Sequence, residues 1–156
     1  MDGMPELHLV TTIYRATNTI VRELDRRLTR EHDVTFVQAL TLLAIESFDR
    51  PQPRLVAEYL SQQSQTVTGV LDRLERAGHI RRFRDLADRR AVRLELTETG
   101  RRLVESLRQR LGEYMEELFR GVRPVTRQQL RDALAELMRS LARAESSETL
   151  RATRGA

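Results

Sequence analysis

Apolar residues recur at three- and four-residue steps along most of the chain, the pattern of amphipathic helices that turn one face to a core. From Leu7 to about Leu28, the positions Val10, Ile13, Ile20, Val21, Leu24 and Leu28 follow it, which predicts a long first helix broken at Glu31-His32-Asp33. Thr35-Phe36-Val37-Gln38 fits a capping box, with the Thr hydroxyl accepting from an early helical N–H and Gln reaching back to the cap. A second helix follows, with Phe36, Leu40, Leu43, Ala44 and Phe48 available to the core, before Pro51 and Pro53 frame a turn. Leu55 to Leu60 is too short to stand as a helix alone, but Leu55, Val56, Tyr59 and Leu60 can pack in a bundle. After the polar break Ser61-Gln62-Gln63-Ser64, a helix from about Gln65 to Ala77 points Val67, Val70, Leu71 and Leu74 inward, and Gly78 supplies its left-handed stop.

The period then changes. Ile80 to Arg84 and Ala91 to Leu96 show partial two-residue alternation around the polar tip Asp85-Leu86-Ala87-Asp88-Arg89-Arg90, which predicts a hairpin with a long turn. Thr97 can cap the next helix, with Gly100 in its first turn. Its apolar stripe runs through Leu103, Val104, Leu107, Leu111, Met115, Leu118 and Phe119. Gly121 and Pro124 mark a break, and Thr126-Arg127-Gln128-Gln129 is a second capping-box pattern. The last helix carries Leu130, Leu134, Leu137, Met138 and Leu141, and the tail after Ala144 loses apolar periodicity and is expected to fray.

Composition narrows the class. A chain of 156 residues fits one domain, and 40% hydrophobic residues suffice for a core. No apolar run reaches membrane-spanning length, and the first ten residues lack the basic-then-apolar order of a secretory signal, so a cytoplasmic protein without membrane contact is expected. The absence of cysteine excludes disulfides, thiolate metal sites and a cysteine redox sensor. His8, His32 and His79 have no ligand spacing, so neither a metal nor a cofactor is expected. The net charge is +4, and all 27 basic residues are arginine, whose planar fork suits phosphate and guanine where lysine offers a point charge.

Short helix, polar turn, helix and hairpin, in that order, define a winged helix-turn-helix within a mainly α fold. The start of the second helix of that motif offers Gln63, Ser64, Gln65, Thr66, Thr68 and Gly69, side chains able to bond phosphates or base edges and a glycine that permits close approach. A solvated helix end accounts better for any one of them taken singly, and the set together with the hairpin reverses that balance. The hairpin holds Arg81, Arg82, Arg84, Arg89, Arg90 and Arg93 against Asp85, Asp88 and Glu95, the densest basic stretch of the chain. The alternative there is a charged hairpin that merely blocks edge-to-edge association. The two aspartates are expected to hold the tip in shape, leaving an arginine free for a minor groove.

These residues resemble the multiple-antibiotic-resistance regulator (MarR) family of bacterial transcription factors from about Leu7 to Ala144. The resemblance rests on Thr66-Val67-Thr68, Asp72-Arg73-Leu74-Glu75, Asp85-x-x-Asp88-Arg89-Arg90 and Leu96-Thr97-x-x-Gly100 in order, and on Val34-Thr35-Phe36-Val37-Gln38 as the entry to the second helix. It implies a single domain over 1–156, with intertwined dimerisation helices at 7–32 and 101–144 and a DNA-binding lobe at 35–100. It implies a recognition helix from about Ser64, with Gln65, Thr66, Thr68 and Arg73 facing DNA, Arg90 or else Arg89 in the minor groove, and Asp88 orienting the wing. Ser64, Gly69 and Arg84 complete the expected DNA-facing set. Gln63 stands where a capping Ser is frequent in the family, so the helix start is open among Gln63, Ser64 and Gln65. The family's small aromatic or lipophilic effectors imply a pocket, for which Tyr14, Arg15, Phe36 and Tyr59 are the candidate lining, with Phe83 and Tyr114 beside them. Relatives that sense peroxide through a thiol, or stack ligands on tryptophan, use residues this chain lacks.

Apolar stripes on the terminal helices exceed what a small three-helix core can bury, which also points to a homodimer. A two-fold pair would place recognition helices ~34 Å apart on double-stranded DNA and read a pseudo-palindrome. The expectation is therefore a homodimeric repressor released by a small ligand. The competing expectation is an architectural nucleic-acid binder without an operator. An enzyme is not expected, because no nucleophile–base pair, glycine-rich phosphate loop or metal cluster is present.

Overall fold

Local capping chemistry decides where most of the helices begin and end. In the computed structural model, which describes residues 4–85 and 88–154, the first helix α1 runs Pro5–His32 and stops at Asp33, whose left-handed backbone (φ 55°) returns its N–H to the Thr29 carbonyl at 3.1 Å. Helix α2 (Phe36–Phe48) opens on the expected capping box: Gln38 N–H donates to Thr35 Oγ1 at 3.3 Å, and Thr35 N–H donates to Gln38 Oε1 at 2.7 Å. The Phe36 N–H donates to Asp25 Oδ1 at 2.6 Å, which ties this entry to α1. Pro53 opens α3 (Pro53–Tyr59), where its fixed φ suits a first helical turn. Helix α4 spans Ser64–Arg76 and ends before Gly78, which adopts φ +76° as the stop expected of it.

Strands β1 (Ile80–Arg84) and β2 (Val92–Leu96) pair antiparallel, with Ile80 opposite Leu96 and Arg82 opposite Leu94. Leu86 and Ala87, expected at the tip, lie outside the described residues. Thr97 caps α5 (Glu98–Phe119), accepting from the Gly100 N–H at 3.0 Å and donating to the Gly78 carbonyl at 2.6 Å.

The chain divides into two compact units, Met1–Gly112 and Glu113–Ala156. The first is built on Leu24, Leu28, Leu42, Ile45, Val56, Leu71, Leu74, Ile80, Leu94 and Leu107, all buried. Buried Thr41 satisfies its hydroxyl on the Val37 carbonyl at 2.7 Å. The second unit holds the end of α5 and helix α6 (Pro124–Arg154). Two expectations fail there. The last helix starts at Pro124 rather than at a Thr126 cap, because proline is preorganised for a first turn and needs no N–H partner. It also continues through the tail to Arg154, since a helix already nucleated gains one backbone bond per added residue without needing an apolar stripe.

Candidate nucleic-acid interface

The turn between α3 and α4 is set by its backbone. Ser61 takes φ 50° in the left-handed region, its N–H bonds the Glu58 carbonyl at 3.1 Å, and the Gln62 N–H bonds the Ala57 carbonyl at 2.9 Å. This closes α3 and aims the chain into α4. Gln63 is the N-cap and makes no side-chain cap bond, which settles the helix start at Ser64. Ser64, Gln65, Thr66 and Thr68 are exposed, while Val67, Val70, Leu71 and Leu74 are buried. The helix thus shows a hydroxyl- and amide-rich, uncapped end, where unpaired N–H groups and the helix dipole favour an anion. Thr68 Oγ1 donates to the Ser64 carbonyl at 2.8 Å, so its methyl and oxygen lone pairs remain for a partner. A Cβ on Gly69 would meet nothing within 4 Å. Arg73 is exposed further along the helix.

The six hairpin arginines separate into two groups. Arg81 bonds Glu95 across the ladder. Arg82 bonds Asp72 at 2.7 Å and Glu75 at 2.6 Å, both on α4. Arg93 bonds Asp85 at 2.7 Å and reaches the Arg50 carbonyl at 3.4 Å. Arg84 donates to the Arg89 carbonyl at 3.2 Å, so it braces the wing's own backbone. Arg89 and Arg90 are exposed, and among the described residues no ion pair or side-chain hydrogen bond engages either guanidinium, nor that of Arg73. Asp88 sets the turn that carries them: its Oδ1 accepts from the Arg90 N–H at 3.0 Å and its carbonyl from the Ala91 N–H at 2.9 Å.

A second support for the wing comes from the segment between α2 and α3, where Pro51 and Pro53 predict only a turn. Asp49 and Arg50 both have positive φ (46° and 59°). That bend lets the Pro51 carbonyl accept from the Leu94 N–H at 3.0 Å and lays Arg50 5.8 Å from the Phe83 ring and 3.5 Å from Glu95. Two prolines were the only signal for it.

The candidate effector residues have separate local settings. Tyr14 is exposed on α1, and Arg15 borders a hollow of about 370 Å³ with Thr12, Ala16, Thr19 and Ile20. Tyr59 packs edge-on against Phe48 with ring centroids 5.1 Å apart. Phe36 is half-buried at the start of α2. Phe83 borders a hollow of about 330 Å³ with Asp49, Arg50, Asp85 and Arg93. Tyr114 is buried.

Helix, tight turn, exposed helix and braced hairpin make this lobe a winged helix-turn-helix. Residues 32–91, from the end of α1 to the hairpin, match the MarR family model. The chain is 36% identical over 95 residues to the HTH-type transcriptional regulator TtmR of Methylorubrum extorquens, a match that covers 61% of this chain and 48% of that one. It therefore spans about half the length of that relative. The transcriptional regulator BldR from Sulfolobus solfataricus superposes with a TM-score of 0.79 at 25% identity, covering 88% of this chain and 96% of that one. A mutant MarR from E. coli, solved in complex with operator DNA, gives a TM-score of 0.79 at 25% identity over 88% of this chain and 99% of that one. The named relatives are regulators rather than enzymes. Among the described residues, no helix is long and apolar enough to cross a membrane.

Proposed function

We propose that this protein is a transcriptional regulator that binds double-stranded DNA as a homodimer, represses from a pseudo-palindromic operator, and is released by a small aromatic or lipophilic ligand. The observation that carries the DNA reading is the division of charge in one lobe. Four wing arginines are tied to protein partners. The two at the tip, Arg89 and Arg90, are held out on an aspartate-braced turn, with guanidinium groups unengaged among the described residues. Ser64, Gln65, Thr66, Thr68 and Arg73 would meet the major groove, Gly69 would let α4 approach closely, and Arg90 or Arg89 would enter the minor groove. Asp88 would hold the wing, and Arg84 would stiffen it. The likeness in fold to an operator-bound MarR structure supports DNA binding by this lobe.

Exposed apolar residues support the dimer. Leu7, Leu9, Val10 and Tyr14 on α1, and Val125, Leu130, Leu137, Met138 and Leu141 on α6, stand at least 38% open to solvent in the single chain. A second copy would cover them, at ~25 cal/mol per Å² of apolar surface. Arg15, which borders an open hollow on α1, would offer its guanidinium to the proposed ligand in the dimer. Cytoplasmic placement follows from a target on the chromosome.

Selection of bound duplexes from random DNA tests this function. An enriched pseudo-palindrome with a steep log–log dependence of affinity on salt is expected. Binding without any enriched motif would favour the architectural reading, and salt-insensitive binding would remove the arginine argument. Sedimentation that showed only monomers would refute the dimer. A thermal-shift screen of small aromatic acids that raised no melting temperature would count against the ligand.

A further inference from the structure

We propose that Arg82 is a positioning residue: it locks the wing to the recognition helix and fixes the angle between them, and it does not contact DNA. The inference rests on the DNA-binding reading above for its functional consequence, but the clamp itself is a property of the free protein. In the two-residue alternation of β1, Arg82 occupies the same face as buried Ile80, opposite buried Leu94. That is a slot where an apolar residue is expected. The side chain is only 26% exposed, unlike its neighbour Arg81 at 70%. Its fork spans two carboxylates one helical turn apart on α4, with Nη2 2.7 Å from Asp72 Oδ1 and Nη1 2.6 Å from Glu75 Oε2. A lysine ammonium could not match both with the same planar geometry.

The backbone makes the same connection independently. At the Arg82–Leu94 pair, the Leu94 N–H goes to the Pro51 carbonyl at 3.0 Å and the Arg82 N–H goes to Glu75 Oε1 at 3.1 Å. Glu75 therefore satisfies a strand-edge donor as well as the guanidinium, and holds β1 by main chain and side chain together. The consequence is electrostatically distinctive. Two acids on a helix meant for DNA repel phosphate, so neutralising them should tighten binding if they served only as surface charge. If they hold the wing through Arg82, neutralising them loosens it.

The test uses the full-length protein with the duplex enriched in the selection, and with an unrelated duplex of equal length. Arg82→Gln and the double variant Asp72→Asn/Glu75→Gln are each expected to weaken the enriched duplex roughly ten-fold while leaving the unrelated duplex and the salt slope nearly unchanged. Arg82→Lys is expected to fall between wild type and Arg82→Gln. In the DNA-free protein, hydrogen exchange at the Arg82 amide is expected to quicken in Arg82→Gln and in Glu75→Ala while melting stays cooperative. Tighter binding by the acid variant, together with a salt slope reduced by about one in Arg82→Gln, would show Arg82 to be a phosphate ligand and overturn the proposal. Unchanged affinity in both variants would overturn it as well. If wild type enriches no duplex, the function reading fails, and the exchange measurement alone decides the clamp: unaltered exchange at Arg82 sinks it.

Discussion

Two glycines separate helix propensity from packing. Replacing a glycine inside a helix by alanine is worth about 1 kcal/mol of added stability from backbone entropy and propensity. At Gly69, in α4, a new Cβ meets nothing within 4 Å, so Gly69→Ala should stabilise the protein by about that amount. At Gly100, in the first turn of α5, the new Cβ would lie 1.9 Å from the His79 carbonyl oxygen, against a floor of 3.0 Å for real Cβ contacts. The helix start must retreat by 3.0 − 1.9 = 1.1 Å or more. Three bonds converge on this point: Thr97 N–H to the His79 carbonyl at 3.0 Å, Gly100 N–H to Thr97 Oγ1 at 3.0 Å, and Thr97 Oγ1 to the Gly78 carbonyl at 2.6 Å. Losing two or three of them costs about 2–3 kcal/mol, which exceeds the propensity gain, so Gly100→Ala should be net destabilising by about 1–2 kcal/mol. Urea denaturation at one fixed protein concentration compares the two, because association would otherwise shift the midpoints. Opposite shifts of the midpoint are expected, with equal slopes. A rise for Gly100→Ala equal to that for Gly69→Ala would refute the close contact and the reasoning built on it. Gly69→Ala has a second readout: if α4 lies against DNA there, affinity falls although stability rises.

Other substitutions probe single features. Arg89→Ala and Arg90→Ala should each weaken DNA binding, with the salt slope of an arginine that neutralises a phosphate falling by about one; melting should be unaltered because neither guanidinium has a protein partner among the described residues. A lowered melting temperature would contradict that. Thr35→Ala removes the cap of α2 and should cost about 1 kcal/mol in urea, whereas a change within experimental error would show the capping box to be inessential. Glu23 accepts bonds from Arg26 and Arg27, in that order of influence, which hold its carboxyl down to about 2 from 4.5. Because the folded value is the lower one, the stabilisation is complete above about pH 4.5 and disappears as pH falls toward 2; a carboxyl titration by NMR with a midpoint near 4.5 would refute it.

The elements themselves were legible in the residues, because periodicity and capping act over a few positions. Thr35 and Gln38, Gly78, and Thr97 with Gly100 did locally what their spacing implied, and the alternation on both sides of Asp85–Arg90 placed the strands. The start of α6 was misplaced by the same kind of argument, since Pro124 and Thr126 offer competing beginnings and the sequence alone does not rank them. The density of arginine in the hairpin was visible too, but its division was not. Whether an arginine is free depends on what the fold sets beside it: Arg82 on two acids of α4, Arg93 on Asp85 and on a carbonyl 43 residues away, Arg89 and Arg90 on nothing described. Composition and spacing thus determined a winged helical lobe with a basic hairpin, whereas the assignment of each charge to bracing or to a partner was decided only by tertiary packing, because Coulomb and hydrogen-bond partners are fixed by distance in space and not by distance along the chain.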